Sequence, residues 1–260
     1  MTPTKGTKIN RLLQRWPRGT VATQSWLTTQ GISSDLARWY VSAGWLVRVG
    51  PRAFLQAGDE IDWRGGLYAM QSQLGMSVHG GARTALELQG RAQFVPLGSK
   101  RRTVLISDSP ESLPAWFKRN SWEARIEHHT LTLFDQIPAD ASRQLDCGGF
   151  RIVISSPERA IMEEMRLART NDDIDHSIQL MENLGMLRPQ VVQRLLEQCT
   201  SIKVKRLFLW SAERVGHAWN DQLEPKSVDL GSGKRQLYKG GVLDPKYRIT
   251  VPRPEGLSDV

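Results

Sequence analysis

Apolar residues near the amino end of the chain recur with helical spacing. Ile9, Leu12, Leu13 and Trp16 stand at i, i+3, i+4 and i+7, while Lys8, Arg11 and Arg15 fall on a different side. This predicts an amphipathic helix that Pro17 and Gly19 end. A second, short helix is predicted from Thr23, a suitable N-cap, through Trp26 and Leu27 to Gln30, and Gly31 can take the left-handed conformation after it. Ser33 follows almost at once, and a third helix over residues 34–43 would be closed by Gly44. A short helix, a tight glycine-containing turn and a second capped helix form the helix-turn-helix signature. At about 100° per residue, the third helix sorts into an inward side of Leu36, Trp39, Tyr40 and Ala43 and an outward side of Ser34, Arg38, Val41 and Ser42. Two short apolar-rich runs, 45–49 and 53–56, joined by Gly50, Pro51 and Arg52, then read as a β-hairpin, the wing of a winged helix.

After Gly58, Asp59 and Glu60 the pattern becomes mixed. Helices are predicted over 63–74, 82–88, 157–166, 173–184, 189–199 and 202–215. Strands are expected at 76–79, 103–107, 123–128 and 150–154, with a hairpin around Cys147, Gly148 and Gly149 flowing into the last of these, and turns and short strands in the 227–251 tail. Ser156, Pro157 and Glu158 make a good helix start. The expected fold is therefore α+β, with a winged helix-turn-helix over 1–57 and a larger mixed α/β domain over 58–260.

Charge sharpens this division. Residues 1–57 hold Lys5, Lys8, Arg11, Arg15, Arg18, Arg38, Arg48 and Arg52 against the single acid Asp35, so nearly all of the net charge of +8 sits in the first segment. A basic block on a winged helix is the footprint of a nucleic-acid-binding module, although a solvated basic face or a protein contact would carry the same charge. On the DNA reading, Arg38 and Ser34 would probe base edges, whereas Lys5, Lys8, Arg11, Arg15, Arg48 and Arg52 would engage phosphates or a minor groove. Thr23, Gln24, Ser33 and Ser42 complete the candidate DNA-contacting set.

Other chemistry is poorly supported by the sequence. Cys147 and Cys199 are the only cysteines and form no CxxC pair, which argues against a disulfide scaffold or a cysteine-rich zinc site. His128 and His129 would point to opposite faces of a strand. His79, His176 and His217 lack metal-ligand spacing. Gly233 and Lys234 fail as a phosphate loop, because Val228 replaces the first glycine and Arg235 the magnesium-binding hydroxyl. Gly98 and Ser99 resemble the start of a nucleotidyltransferase loop without the pair of aspartates that two metals need. No catalytic residue, metal or cofactor is expected, and with no apolar run long enough to span a bilayer and no secretory signal the chain is read as cytoplasmic. The rival reading is a C-terminal metal-dependent nuclease using Glu197, Glu224, Asp229 and Lys234. A third reading is a one-component regulator whose second part binds a small ligand.

Four segments carry a resemblance: GWLVRVGPRAF (44–54), SVHGGARTALELQG (77–90), SPERAIMEEM (156–165) and LGSGKRQLYKGGVLDPKYRI (230–249). In this order the chain resembles the AbiEi antitoxins of type IV toxin-antitoxin, or abortive infection, systems. The resemblance implies an N-terminal domain that binds inverted repeats in its own promoter and represses the operon. It also implies a C-terminal domain that neutralises a nucleotidyltransferase-like toxin, typically without a stable complex. One departure is that wings of the family often carry Arg-Gly before an aromatic, where Pro51, Arg52, Ala53 and Phe54 stand here. The resemblance assigns no antitoxin residues: 156–165 reads first as a helix start packed by Ile161 and Met165, and Lys234, Arg235, Lys239 and Lys246 read equally as a basic patch or as solvated turns.

Overall fold

The computed structural model describes residues 5–92 and 102–253. In chain order the elements are α1 (Lys5–Arg15), β1 (Ala22–Thr23), α2 (Gln24–Thr29), α3 (Ser34–Ser42), β2 (Leu46–Gly50), β3 (Ala53–Gln56), α4 (Trp63–Leu74), β4 (His79–Gly80) and α5 (Ala82–Leu88). They continue as β5 (Arg102–Ser107), α6 (Ala115–Arg119), β6 (Arg125–Thr130), β7 (Ser142–Asp146), β8 (Arg151–Ser155), α7 (Pro157–Leu167), α8 (Asn171–Glu182), α9 (Pro189–Gln198), α10 (Ile202–Val215), β9 (Val242–Asp244) and β10 (Ile249–Val251). The described chain divides into two compact units, one of residues 5–79, 102–130 and 144–153, the other of 80–92, 131–143 and 154–253.

In the first unit the apolar side of α1 is spent as its period predicts. Ile9, Leu12 and Trp16 are buried with Leu27, Ile32, Ala37, Tyr40, Leu46 and Phe54 in one cluster. Trp16 gains a partner for its indole N–H, which donates to the carbonyl of Thr20 at 3.0 Å. The wing is a three-stranded antiparallel sheet in the order β1-β3-β2, with Ala22 opposite Phe54 and Val47 opposite Leu55. The small edge strand β1 departs from the two-stranded hairpin that the sequence predicts. It is held on its other side by Gln73 of α4, whose amide accepts from Thr23 N at 2.8 Å and donates to the Val21 carbonyl at 2.8 Å, standing in for a neighbouring strand.

Two glycines permit close approach in this unit. A Cβ on Gly65 would lie 1.9 Å from the Gly19 carbonyl oxygen, and one on Gly50 would lie 2.7 Å from Cβ of Trp116. Gly50 thus lets the end of β2 rest on α6, a short helix absent from the sequence reading. β5 and β6 pair in parallel, Val104 opposite Glu127. Residues 76–78 precede the strand rather than belong to it, and β6 begins two residues later than expected.

In the second unit α7 is contacted by α5, α8, α9 and α10. Ile161 and Met165 are buried on it, and so are Glu158, Arg159, Glu163 and Glu164. Each acid is met. Arg188 donates to Glu158 through Nε and Nη2, both at 2.9 Å, and its backbone N–H adds a third bond at 3.0 Å. Glu163 accepts from Ser155 Oγ, from Arg159 Nε at 2.7 Å and from Ala82 N at 2.9 Å. Glu164 pairs with the Arg83 guanidinium and accepts from its N–H. Gly80 pairs in parallel with Ile154, and β9 and β10 form an antiparallel ribbon.

Candidate nucleic-acid interface

The helix-turn-helix is built by caps and one glycine. Thr23 caps α2, its hydroxyl accepting from Trp26 N at 3.2 Å, and Ser33 caps α3 by accepting from Leu36 N at 3.2 Å. Between the helices Gly31 takes φ +78°, which a residue with a Cβ would adopt only under strain, and Ile32 drops into the core. Gln24 fixes the angle: its Nε2 donates to Thr28 Oγ1 and to the Ile32 carbonyl, both at 3.3 Å. Gln24 N also donates to the Arg52 carbonyl at 2.9 Å, tying the wing turn to the start of α2.

These bonds relocate two candidates. Thr23 and Gln24 are 4% and 6% exposed and engaged inside the fold, so they shape the motif and present no surface to a duplex. The remaining outward residues are Ser33, Ser34, Arg38 and Ser42 on α3, Arg11 and Arg15 on α1, and Arg48 and Arg52 on the wing, all exposed, with Lys8 half-buried. Lys5 opens α1; its side chain lies outside the described residues, as do Gly98 and Ser99 altogether.

The face of α3 differs from the predicted one. Ala37 and Tyr40 are buried and Leu36 and Val41 pack at the core's edge, whereas Trp39 is 42% exposed and Ala43 is exposed. Apolar residues at 36, 37, 39, 40, 41 and 43 surround more than half of the helix, and the packing against α2 and β2 selects a side centred on Ala37 and Tyr40. The outward surface of α3 therefore contains Ser34, Asp35, Arg38, Trp39 and Ser42. Arg38 pairs with Asp35 one turn back, and Ser42 donates its hydroxyl to the Trp39 carbonyl at 2.8 Å.

Three cations converge elsewhere. Lys8, Arg11 and Arg15 line a cleft of about 190 Å³ with Leu12, Gln30 and Gly31, where α1 passes the turn of the helix-turn-helix. Arg15 reaches Gln30 Oε1 at 3.5 Å. Arg18, by contrast, is spent on Asp59, which also accepts from Gly19 N at 2.9 Å. On the wing, the Arg48 guanidinium stands 5.9 Å from the Phe54 ring centroid, and Arg52 occupies the left-handed region at φ +60°. Among the described residues no carboxylate pairs with Lys8, Arg11, Arg48 or Arg52. Four exposed arginines and the half-buried Lys8 on α1 and the wing thus accompany the short polar side chains of α3 in this unit.

Two of the three acids of the nuclease reading are engaged structurally. Glu197 accepts from Gln193 and Ser227, and Asp229 accepts from Gly231 N at 2.8 Å. Among the described residues no three His, Cys, Asp or Glu side chains gather as a metal-binding group. His128 bonds Ser107 Oγ at 2.8 Å, and burial, the largest influence, lowers its pKa. No described helix is long and apolar enough to cross a membrane.

Comparison with known proteins adds the following. A family profile described as "Transcriptional regulator, AbiEi antitoxin, Type IV TA system" matches residues 100–252, and one described as "Transcriptional regulator, AbiEi antitoxin N-terminal domain" matches residues 5–97. No curated protein matches the sequence. Among solved structures, the crystal structure of the RV2827C protein from Mycobacterium tuberculosis is similar over 96% of this chain and 92% of that one, with a TM-score of 0.57 at 15% identity, a likeness of fold.

Proposed function

Since the chain belongs to the AbiEi antitoxin family of transcriptional regulators from type IV toxin-antitoxin systems, we propose that residues 1–57 are its DNA-binding module and that it represses its own operon through inverted repeats in the promoter. The observation that supports this most is the set of exposed Arg11, Arg48 and Arg52 with half-buried Lys8, none of them paired with a carboxylate among the described residues, on a capped helix-turn-helix unit. Arg11, Arg15 and Lys8 would hold phosphates beside the motif, Arg48 and Arg52 would reach along the backbone or a minor groove from the wing, and α3 would enter the major groove.

Base reading falls to Ser34, Arg38 and Ser42. The Asp35 pairing holds Arg38 along the helix in the free protein, and a guanine edge would have to compete for it. The second domain, 58–260, would carry the action against a nucleotidyltransferase-like toxin, without a stable complex between the two. The test is competition binding of the protein to its promoter fragment and to random duplex. Arg38→Ala should reduce the preference for promoter by about 1–3 kcal/mol if the side chain makes a bidentate base contact. Equal loss on both duplexes would make Arg38 a phosphate anchor, and equal wild-type affinity for both would overturn the operator reading.

A further inference from the structure

Arg206 lies within α10 with 1% of its surface exposed, and among the described residues no carboxylate meets it. Its guanidinium donates to four backbone carbonyls: Nε to Leu230 at 2.7 Å, Nη1 to Gly233 at 2.7 Å and Arg248 at 3.3 Å, and Nη2 to Gly231 at 3.1 Å. These dipoles satisfy the donors and leave the charge without a counterion. Burial first, and then the neighbouring charges of Arg235 and Arg248, push its pKa down.

The three arginines meet at one backbone group, since the Arg248 carbonyl also accepts from Arg235 N at 2.9 Å. Arg235 and Arg248 are exposed and, among the described residues, form no ion pair. The acids closest in sequence are committed: Asp229 accepts from Gly231 N, and Asp244 from Tyr247 N at 2.7 Å. Lys246, a few residues away, is neutralised by Glu213. Arg248 is also held at φ +54°, a conformation that costs a residue with a Cβ energy and tends to persist where it positions a side chain for use.

We propose that the loop 230–235 together with Arg248 is a binding site for a phosphate group, with Arg235 and Arg248 as its ligands and Arg206 as the buried cation that shapes the loop and adds to its field. Phosphate is the anion of choice because a guanidinium offers a planar fork that matches its oxygens. The loop carbonyls are turned to Arg206, so side chains carry the recognition, unlike a phosphate loop that uses backbone N–H groups.

The test is calorimetric titration of the full chain at fixed ionic strength with inorganic phosphate, AMP and a short single-stranded oligonucleotide as separate arms. Arg235→Gln and Arg248→Gly remove the charges, the latter suiting the left-handed backbone, and each should weaken phosphate binding by about tenfold or more while leaving the phosphate-free melting temperature in place. Tighter binding of AMP or of the oligonucleotide, equally sensitive to both variants, supports the site and identifies the phosphate's source. Absence of saturable binding in every arm overturns the proposal. So does binding that both variants retain, or that is lost in an Arg11→Ala, Arg15→Ala protein instead.

Discussion

Replacing Glu158 by Gln removes a charge that the fold surrounds with donors. The carboxylate is 1% exposed, and burial alone would raise its pKa; the two Arg188 side-chain bonds, then Ser156 and the Arg188 N–H, reverse this and hold it at about 2. The fall from the ordinary 4.5 to about 2 corresponds to about 3 kcal/mol of native-state stability at neutral pH. Because the folded pKa is the depressed one, this contribution is complete above 4.5 and is lost as pH falls toward 2. The Arg188 side chain is 38% exposed, so water partly compensates it in the variant, and the loss stays near the lower end of the range for a broken buried pair, about 3 kcal/mol. Urea unfolding of wild type and Glu158→Gln at pH 7 and pH 3 is the assay. The gap should shrink to about half at the lower pH. A gap below about 1 kcal/mol at pH 7, or one equal at both pH values, would show that the ionised carboxylate does not stabilise the fold as its partners imply.

Three further outcomes are expected. Gly65→Ala should lower the melting temperature by several degrees, because its Cβ would stand 1.9 Å from a backbone oxygen and the shift it forces costs about 3 kcal/mol; an unchanged melt would show that the approach can relax. Gln73→Ala should deprotect the Thr23 amide in hydrogen exchange and cost about 2 kcal/mol, since it leaves Thr23 N and the Val21 carbonyl without their partner; retained protection would contradict this. Arg52→Gly should leave stability nearly unchanged, as relief of the left-handed strain offsets the added chain entropy at about 1 kcal/mol each. It should also weaken promoter binding at low salt, and undiminished affinity would remove Arg52 from the interface.

Much of the helical order could be read from the chain because local signals coincide with it: Thr23, Ser33 and Ser156 do cap helices, and Gly31 does turn left-handed. What escaped depends on partners distant in sequence. Nothing local marks Glu158, Glu163 and Glu164 as buried; Arg188, Ala82 and Arg83, which meet them, come from other parts of the chain. The two-residue β1 has no pattern of its own and exists because Phe54 pairs with Ala22 and Gln73 covers the other edge. At the candidate site, cations and turns were legible, but Thr23 and Gln24 were not separable from surface polar residues. Their hydroxyl and amide serve the motif's interior. Helical spacing points Trp39 inward because α3 is apolar around much of its girth, and only packing decides which part is covered.

The proposed DNA binding depends on phosphate neutralisation by the cations of α1 and the wing, which the affinity of the full chain for a promoter duplex over a salt series reads out. With five cations engaged, log K should fall against log salt with a slope of about −4 or steeper, and Arg11→Ala with Arg15→Ala should make it shallower by about 2. A flat dependence, or a double variant with the wild-type slope and affinity, would contradict it.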